Sequence, residues 1–141
     1  MSFARKSGIG ALFIVAFGLP AAGIATAAPV TVPFQLAPAP FGNPNGSFDV
    51  PAISCAAIVG DQPGVLVITG GKPGGWGCML TAPVQWINLS TGATGATRLS
   101  DGLNGIPAQA SIATGAGQVV VIVTSPQSGT VTPGFATFSV P

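Results

Sequence analysis

Residues 119–124 read VVVIVT, the most apolar and most β-branched run of the chain after residue 28. Branched side chains lose rotamer freedom against a helical turn and fit a pleated sheet. Six residues is strand length and short of a helix. With bulky groups at both odd and even positions, the run reads as a central strand buried on both faces. The tight Gly115-Ala116-Gly117 precedes it, and the Pro/Gly-bearing loop 125–134 separates it from a closing strand over 135–140, FATFSV.

Outward from that strand, the chain repeats one pattern of short apolar run and turn. Residues 107–114 read as a strand of small residues, preceded by the turn DGLNG at 101–105. Residues 79–89 form a strand interrupted at Pro83, the turn STGATG at 90–95 follows, and 96–100 pairs back. Further upstream, 54–59 and 65–69 pair across the five-residue loop GDQPG, with a short strand at 48–50 ahead of them. FGNPNGS at 41–47 is dense in turn residues, and 29–40 reads as an edge strand because its prolines cannot donate to an inner ladder. Seven to nine short strands with turn signals every 8–12 residues predict an all-β domain, a single small immunoglobulin-like β-sandwich, with a small β-barrel as the alternative.

The first 27 residues belong to a different regime. Arg5 and Lys6 make a short basic start, an apolar run covers 9–19, and small residues after Pro20 end in Ala25-Thr26-Ala27. That layout is a secretory signal peptide with an Ala-x-Ala cleavage site after Ala27. The reading is therefore 1–27 as a cleaved signal peptide and 28–141 as one sandwich domain. Cys55 and Cys78, the two cysteines of the chain, fit export as a structural disulfide. Closing a loop of that length stabilises a fold by about 3 kcal/mol in the chain-entropy account.

Composition excludes more than it assigns. Charged residues are 5% of the chain, against about 25% in an average soluble domain. The acidic side chains are Asp49, Asp61 and Asp101; beyond the signal segment the basic ones are Lys72 and Arg98. No basic footprint exists for a phosphate backbone, so nucleic acid is not the expected partner. The chain has no His and no Glu, which rules out Ser-His-Asp and Cys-His nucleophile systems and the H-E-x-x-H metal helix. Each Asp sits among turn formers or at a strand start, not in a carboxylate pair. No catalytic residue, metal ligand set or cofactor is assigned. Asp101 and Asn104 in DGLNG read as an Asx-type turn, not a calcium loop, which needs more oxygen ligands. Asn88-Leu89-Ser90 matches the glycosylation sequon.

From VQWINLSTGATGATRLSDGLNGIPAQASIATGAGQVVVIVTSP onward, with TPGFATFSVP at the end, the chain resembles small secreted actinobacterial proteins of unknown function with immunoglobulin-like sandwiches. The resemblance is compositional and transfers no functional residue. Both cysteines precede Trp86, unlike antibody domains, where a Cys lies on either side of the tryptophan.

Two tryptophans remain. Trp86 lies mid-strand and reads as core. Trp76, in the Gly-rich loop GGKPGGWG at 70–77 together with Lys72, is either a cover for the disulfide or a contact residue. Phe41 and Phe48 flank a turn and fit core or contact equally. Lys72 and Trp76 are thus the candidate binding residues. The expectation is a non-enzymatic secreted or envelope-associated protein with an interaction or structural role and an envelope or extracellular partner. It meets the membrane only through its signal segment, and self-association is left open. The alternatives are a loop-based binding module for a hydrophobic or carbohydrate ligand and an oligomeric envelope β-barrel.

Overall fold

The computed structural model describes residues 28–42, 52–71, 77–126 and 131–141. The signal segment expected at 1–27, the strand expected at 48–50, and Lys72 and Trp76 lie outside the described residues. Eight strands form: β1 (Val30–Pro33), β2 (Cys55–Val59), β3 (Val65–Gly70), β4 (Pro83–Asn88), β5 (Thr94–Arg98), β6 (Ala110–Ala113), β7 (Gly117–Val123) and β8 (Gly134–Val140). They make two four-stranded antiparallel sheets, ordered β1-β2-β3-β6 and β5-β4-β7-β8, which face each other as a sandwich. No closed barrel forms among the described residues. The strand order is its own: β3 stays beside β2 as a hairpin, whereas the third strand of an immunoglobulin domain has already crossed to the opposite sheet.

The run 119–124 does build a central strand, β7, flanked by β4 and β8. Its expected burial on both faces is corrected by the structure. Val119, Val121 and Val123 are fully buried, while Val120 is half-buried and Ile122 exposed. Nothing among the described residues covers the outer face. A continuous apolar run fits burial on one face or on two, and its sequence carries no mark of which. Several boundaries also move, and the strand expected at 107–114 shortens to β6 at 110–113. Pro83 opens β4 instead of interrupting a longer strand, because a first residue need not donate to the ladder. β5 begins at Thr94, with residues 89–93 left to turn.

The expected edge strand at 29–40 splits between the sheets. β1 lies at the edge of the first sheet, and the Phe34 N–H still donates to Cys55 O at 2.9 Å. The chain then crosses and covers the edge of β8. Leu36 and Phe135 exchange backbone bonds at 3.0 and 2.8 Å, and Ala39 pairs with Thr132. Beyond the Leu36–Phe135 pair the Gln35 carboxamide acts as a substitute peptide, accepting from Thr137 N–H at 2.8 Å and donating to Thr137 O at 3.3 Å. An exposed edge that would template foreign strands is thereby occupied by the protein's own chain. Phe34 turns inward at the crossing, its ring centroid 5.8 Å from that of Phe138.

Between the sheets lie Leu66, Ile68 and Ile112 from one side and Val84, Val119, Val121, Val123, Phe138 and Val140 from the other. Many of their buried neighbours are alanines, among them Ala57, Ala108, Ala110 and Ala136. Full burial of a Val or Leu contributes about 1.5–3 kcal/mol, and an alanine far less, so this core is thin for its size. Trp86 packs against it half-buried, its indole lying across Gly95, where an added Cβ would sit 2.6 Å from Cζ2. Its role is structural, as its mid-strand position suggests.

Two fixtures supplement the thin core, one at each end of the sandwich. At one end Cys55, opening β2, is bonded to Cys78 at 1.98 Å, both side chains buried. At the other, the fully buried Asn88 amide closes the turns. Its Nδ2 donates to Thr114 O, Gly115 O and Ala116 O at 3.0, 3.3 and 3.0 Å. Its Oδ1 accepts from Ser90 N–H and Thr91 N–H at 2.9 and 3.2 Å. The turn it holds also donates, through Thr114 N–H and Gly115 N–H, to Gly64 O of the first sheet. One side chain thus couples the β4–β5 turn, the β6–β7 turn and the β2–β3 turn. Asn88→Ala should destabilise the fold by about 2–4 kcal/mol, since several backbone groups lose their partners at once. The adjacent exposed Leu89→Ala should cost under about 0.5 kcal/mol. Denaturant midpoints of the two variants check the contrast.

Candidate functional site

The connections sort by length. Residues 60–64, 89–93 and 114–116 are tight turns at the Asn88 end. Residues 34–54, 71–82, 99–109 and 124–133 are the long connections, and all emerge at the disulfide end. Binding residues concentrate on loops held by a rigid scaffold. This loop end is also where side chains depart most from ordinary burial.

Leu80, Leu103 and Ile106 are 57%, 64% and 54% exposed there, on two adjacent connections. Each is presented by an unusual turn. Thr81 has φ 51°, a left-handed conformation that a β-branched residue rarely adopts. It is held by the continuation of the β4–β5 ladder: Thr81 N–H donates to Ser100 O at 3.0 Å, and Leu99 N–H to Ala82 O at 3.0 Å. Arg98 Nη1 donates to Thr81 O at 3.1 Å from the adjacent strand. The Leu80 side chain lies over Gly102, where an added Cβ would stand 2.8 Å from Leu80 Cδ2.

The second turn spans 101–106. Gly102, Asn104 and Gly105 all take left-handed φ, 66°, 61° and 75°, so the chain doubles back around Leu103. Asp101 Oδ1 accepts from Leu103 N–H at 3.4 Å, and Ile106 N–H donates to Leu103 O at 3.3 Å. The Asx-type turn expected at DGLNG is present. What the sequence did not disclose is that the turn points its leucine outward. The two turns together form an aliphatic knob. The base of the Lys72 and Trp76 loop adjoins it, since a side chain added at Gly77 would meet Pro107 Cβ at 3.4 Å.

Other candidates fall differently. Asp61 sits in the β2–β3 turn and Asp101 in the β5–β6 connection, at opposite ends of the sandwich. Among the described residues no three His, Cys, Asp or Glu side chains gather as metal ligands. The Asn88 sequon is occupied structurally, because its amide is fully buried and bonded on both atoms. Phe41 is exposed at 64%, a surface residue on the β1–β2 connection. An open depression of about 500 Å³ lies on the outer face of β5-β4-β7, lined by Gln85, Ile87, Thr94, Ala96, Val120 and Ile122 among others. Its lining carries no charged side chain and no convergent polar group beyond one glutamine and one threonine.

Comparison with protein-family models, curated proteins and solved structures finds no match. The site therefore has to be read from its own geometry. A residue in the left-handed region costs about 1–2 kcal/mol unless it is glycine. Thr81→Gly should accordingly raise stability by up to about 1 kcal/mol after the added chain entropy of glycine is subtracted. Thermal unfolding of the variant checks this, and a loss of stability would show that Thr81 is not strained.

Proposed function

We propose that this chain is an exported, non-enzymatic interaction domain of the cell envelope, which engages an apolar partner through the aliphatic knob at its loop end. The observation that carries the reading is the display of Leu80, Leu103 and Ile106 on two turns built from left-handed residues. Stored backbone strain clusters at functional sites, where the surroundings over-determine it. Here the Thr81 turn seats Met79 and Ala82 in the core and at the same time turns Leu80 out to water.

Export is supported by the three-part segment at 1–27 and by the Cys55–Cys78 pair. A non-catalytic role is supported by the lack of His and Glu and by the separation of Asp61 from Asp101. Low charge fits retention on an apolar envelope better than dispersal as a freely soluble monomer, which relies on surface charge. Lys72 and Trp76, on the loop whose base adjoins the knob, are proposed to extend the same contact surface.

Replacing Leu80, Leu103 and Ile106 together by Ser should move the protein from the envelope fraction to the culture filtrate. The melting temperature should change little, because exposed positions contribute within about 0.5 kcal/mol each. Intact mass and immunoblotting of the two fractions read the result. An unchanged distribution would remove the knob from the function.

A further inference from the structure

We infer that the protein self-associates through the free edge of β5, two copies adding strand to strand in antiparallel register about Ala96. This surface is separate from the knob, and its partner is a second copy of the chain.

Two sheets present four edge strands, and three of these are blunted. In β1 the Phe34 N–H bonds Cys55 O, so the antiparallel alternation turns residues 29, 31 and 33 outward. Pro29 and Pro33 have no N–H to offer there. Along β8, Leu36 takes the backbone groups of Phe135, and the Gln35 carboxamide takes those of Thr137. β6 has four residues and turns out only Ser111 and Ala113, because the Thr114 N–H is bonded to Gly64 O. Short strands, prolines and covering chain are the means by which sheets avoid foreign strands.

β5 has none of these protections. Asn88 N–H donates to Ala93 O and Leu99 N–H to Ala82 O, so residues 93, 95, 97 and 99 face β4. Thr94, Ala96 and Arg98 therefore turn their N–H and C=O groups away from the sheet. Among the described residues nothing pairs with them.

This edge is complementary to itself. A two-fold axis at Ala96 sets the two Ala96 residues opposite each other, and each Thr94 opposite the other copy's Arg98. Each of the three residues then exchanges both of its bonds with its counterpart. The small side chains at the axis do not collide. The two cations lie four residues apart along the strands, about 14 Å, beyond the Debye length of about 8 Å. Each guanidinium is also held at Thr81 O of its own chain. The depression on the outer face reaches Thr94 and Ala96 at this edge, so the two depressions meet across the axis on one uncharged face. A strand pair alone buries less than a standard interface, which puts dimerisation on the order of 100 µM.

The test is sedimentation equilibrium of the exported chain, as recovered from cells, from about 10 µM to about 1 mM. The native chain should pass from monomer to dimer across that range. Ala96→Pro should weaken the dimer about thirtyfold, since two backbone bonds are lost per pair and neither belongs to the β4 ladder. Ala96→Lys keeps the donor but sets like charges face to face, and should weaken the dimer with the melting temperature retained. Under oxidation Ala96→Cys should link two chains, its Cα atoms standing about 5.5 Å apart, while Thr94→Cys, about 14 Å from its equivalent, should not. A chain monomeric throughout would overturn the inference. So would a dimer that survives both Ala96→Pro and Ala96→Lys, or cross-linking of Thr94→Cys without Ala96→Cys. Protection of the Ala96 amide from hydrogen exchange in the monomer would overturn it as well, since the chain would then cover this edge itself.

Discussion

Five hydrogen bonds from one buried carboxamide hold the turn end of this sandwich together. Asn88 is on the second sheet, but the carbonyls it binds belong to the β6–β7 turn, and that turn donates to Gly64 of the first sheet. The two sheets are thereby held in register by directional bonds. A core rich in alanine and valine does this poorly, because small side chains interlock weakly and one sheet can slide over the other at little cost. An amide suits this junction because it offers two donors and an acceptor with two lone pairs at one point. The burial that would penalise it is offset only because both atoms are satisfied.

The opposite end is fixed by chemistry of another kind. The disulfide joins the start of β2 to the connection that leads into β4, so it too links the first sheet to the path toward the second. A covalent link tolerates long connections around it, whereas the Asn88 network depends on turns too short to wander. This accounts for the asymmetry of the molecule. Turn length is constrained where stability is hydrogen-bonded and free where it is covalent. The long connections therefore collect at the disulfide end, and so does the aliphatic display.

Much of the architecture was legible in the chain because its signals are local. Alternation, proline placement and Gly-rich turns located the strands β2, β3, β7 and β8 closely, and the even cysteine count anticipated the bridge. Features that depend on what lies across space were not. VVVIVT pointed to a central strand but not to its open outer face, since no polar residue marks the half-buried Val120 and the exposed Ile122. Asn88 reads as a sequon because the three-residue pattern is all that sequence shows, while its partners lie 26 to 28 residues downstream. The crossing at Phe34 was hidden because edge-strand composition is the same on either sheet. DGLNG was recognised as a turn, yet the same residues fit a turn that buries Leu103 as well as one that exposes it.

That last ambiguity bears on why the knob is best taken as functional. A surface leucine in isolation needs no explanation, since apolar atoms make up more than half of any folded surface. Three on neighbouring turns would still be weak ground if the turns were relaxed. Thr81 changes the balance. A β-branched residue in the left-handed region carries a cost that glycine at the same position would avoid, and glycine is abundant in this chain at other turns. The turn at 101–106 does place glycine at two of its three left-handed positions, so low-strain solutions were accessible to this sequence. Retaining Thr81 fixes the direction in which Leu80 leaves the backbone more tightly than a flexible glycine would. Rigidity of that kind gains little through Leu80 itself, which buries little. It has value for a surface that must arrive at its partner already shaped, since side chains held in place before contact lose less freedom on binding.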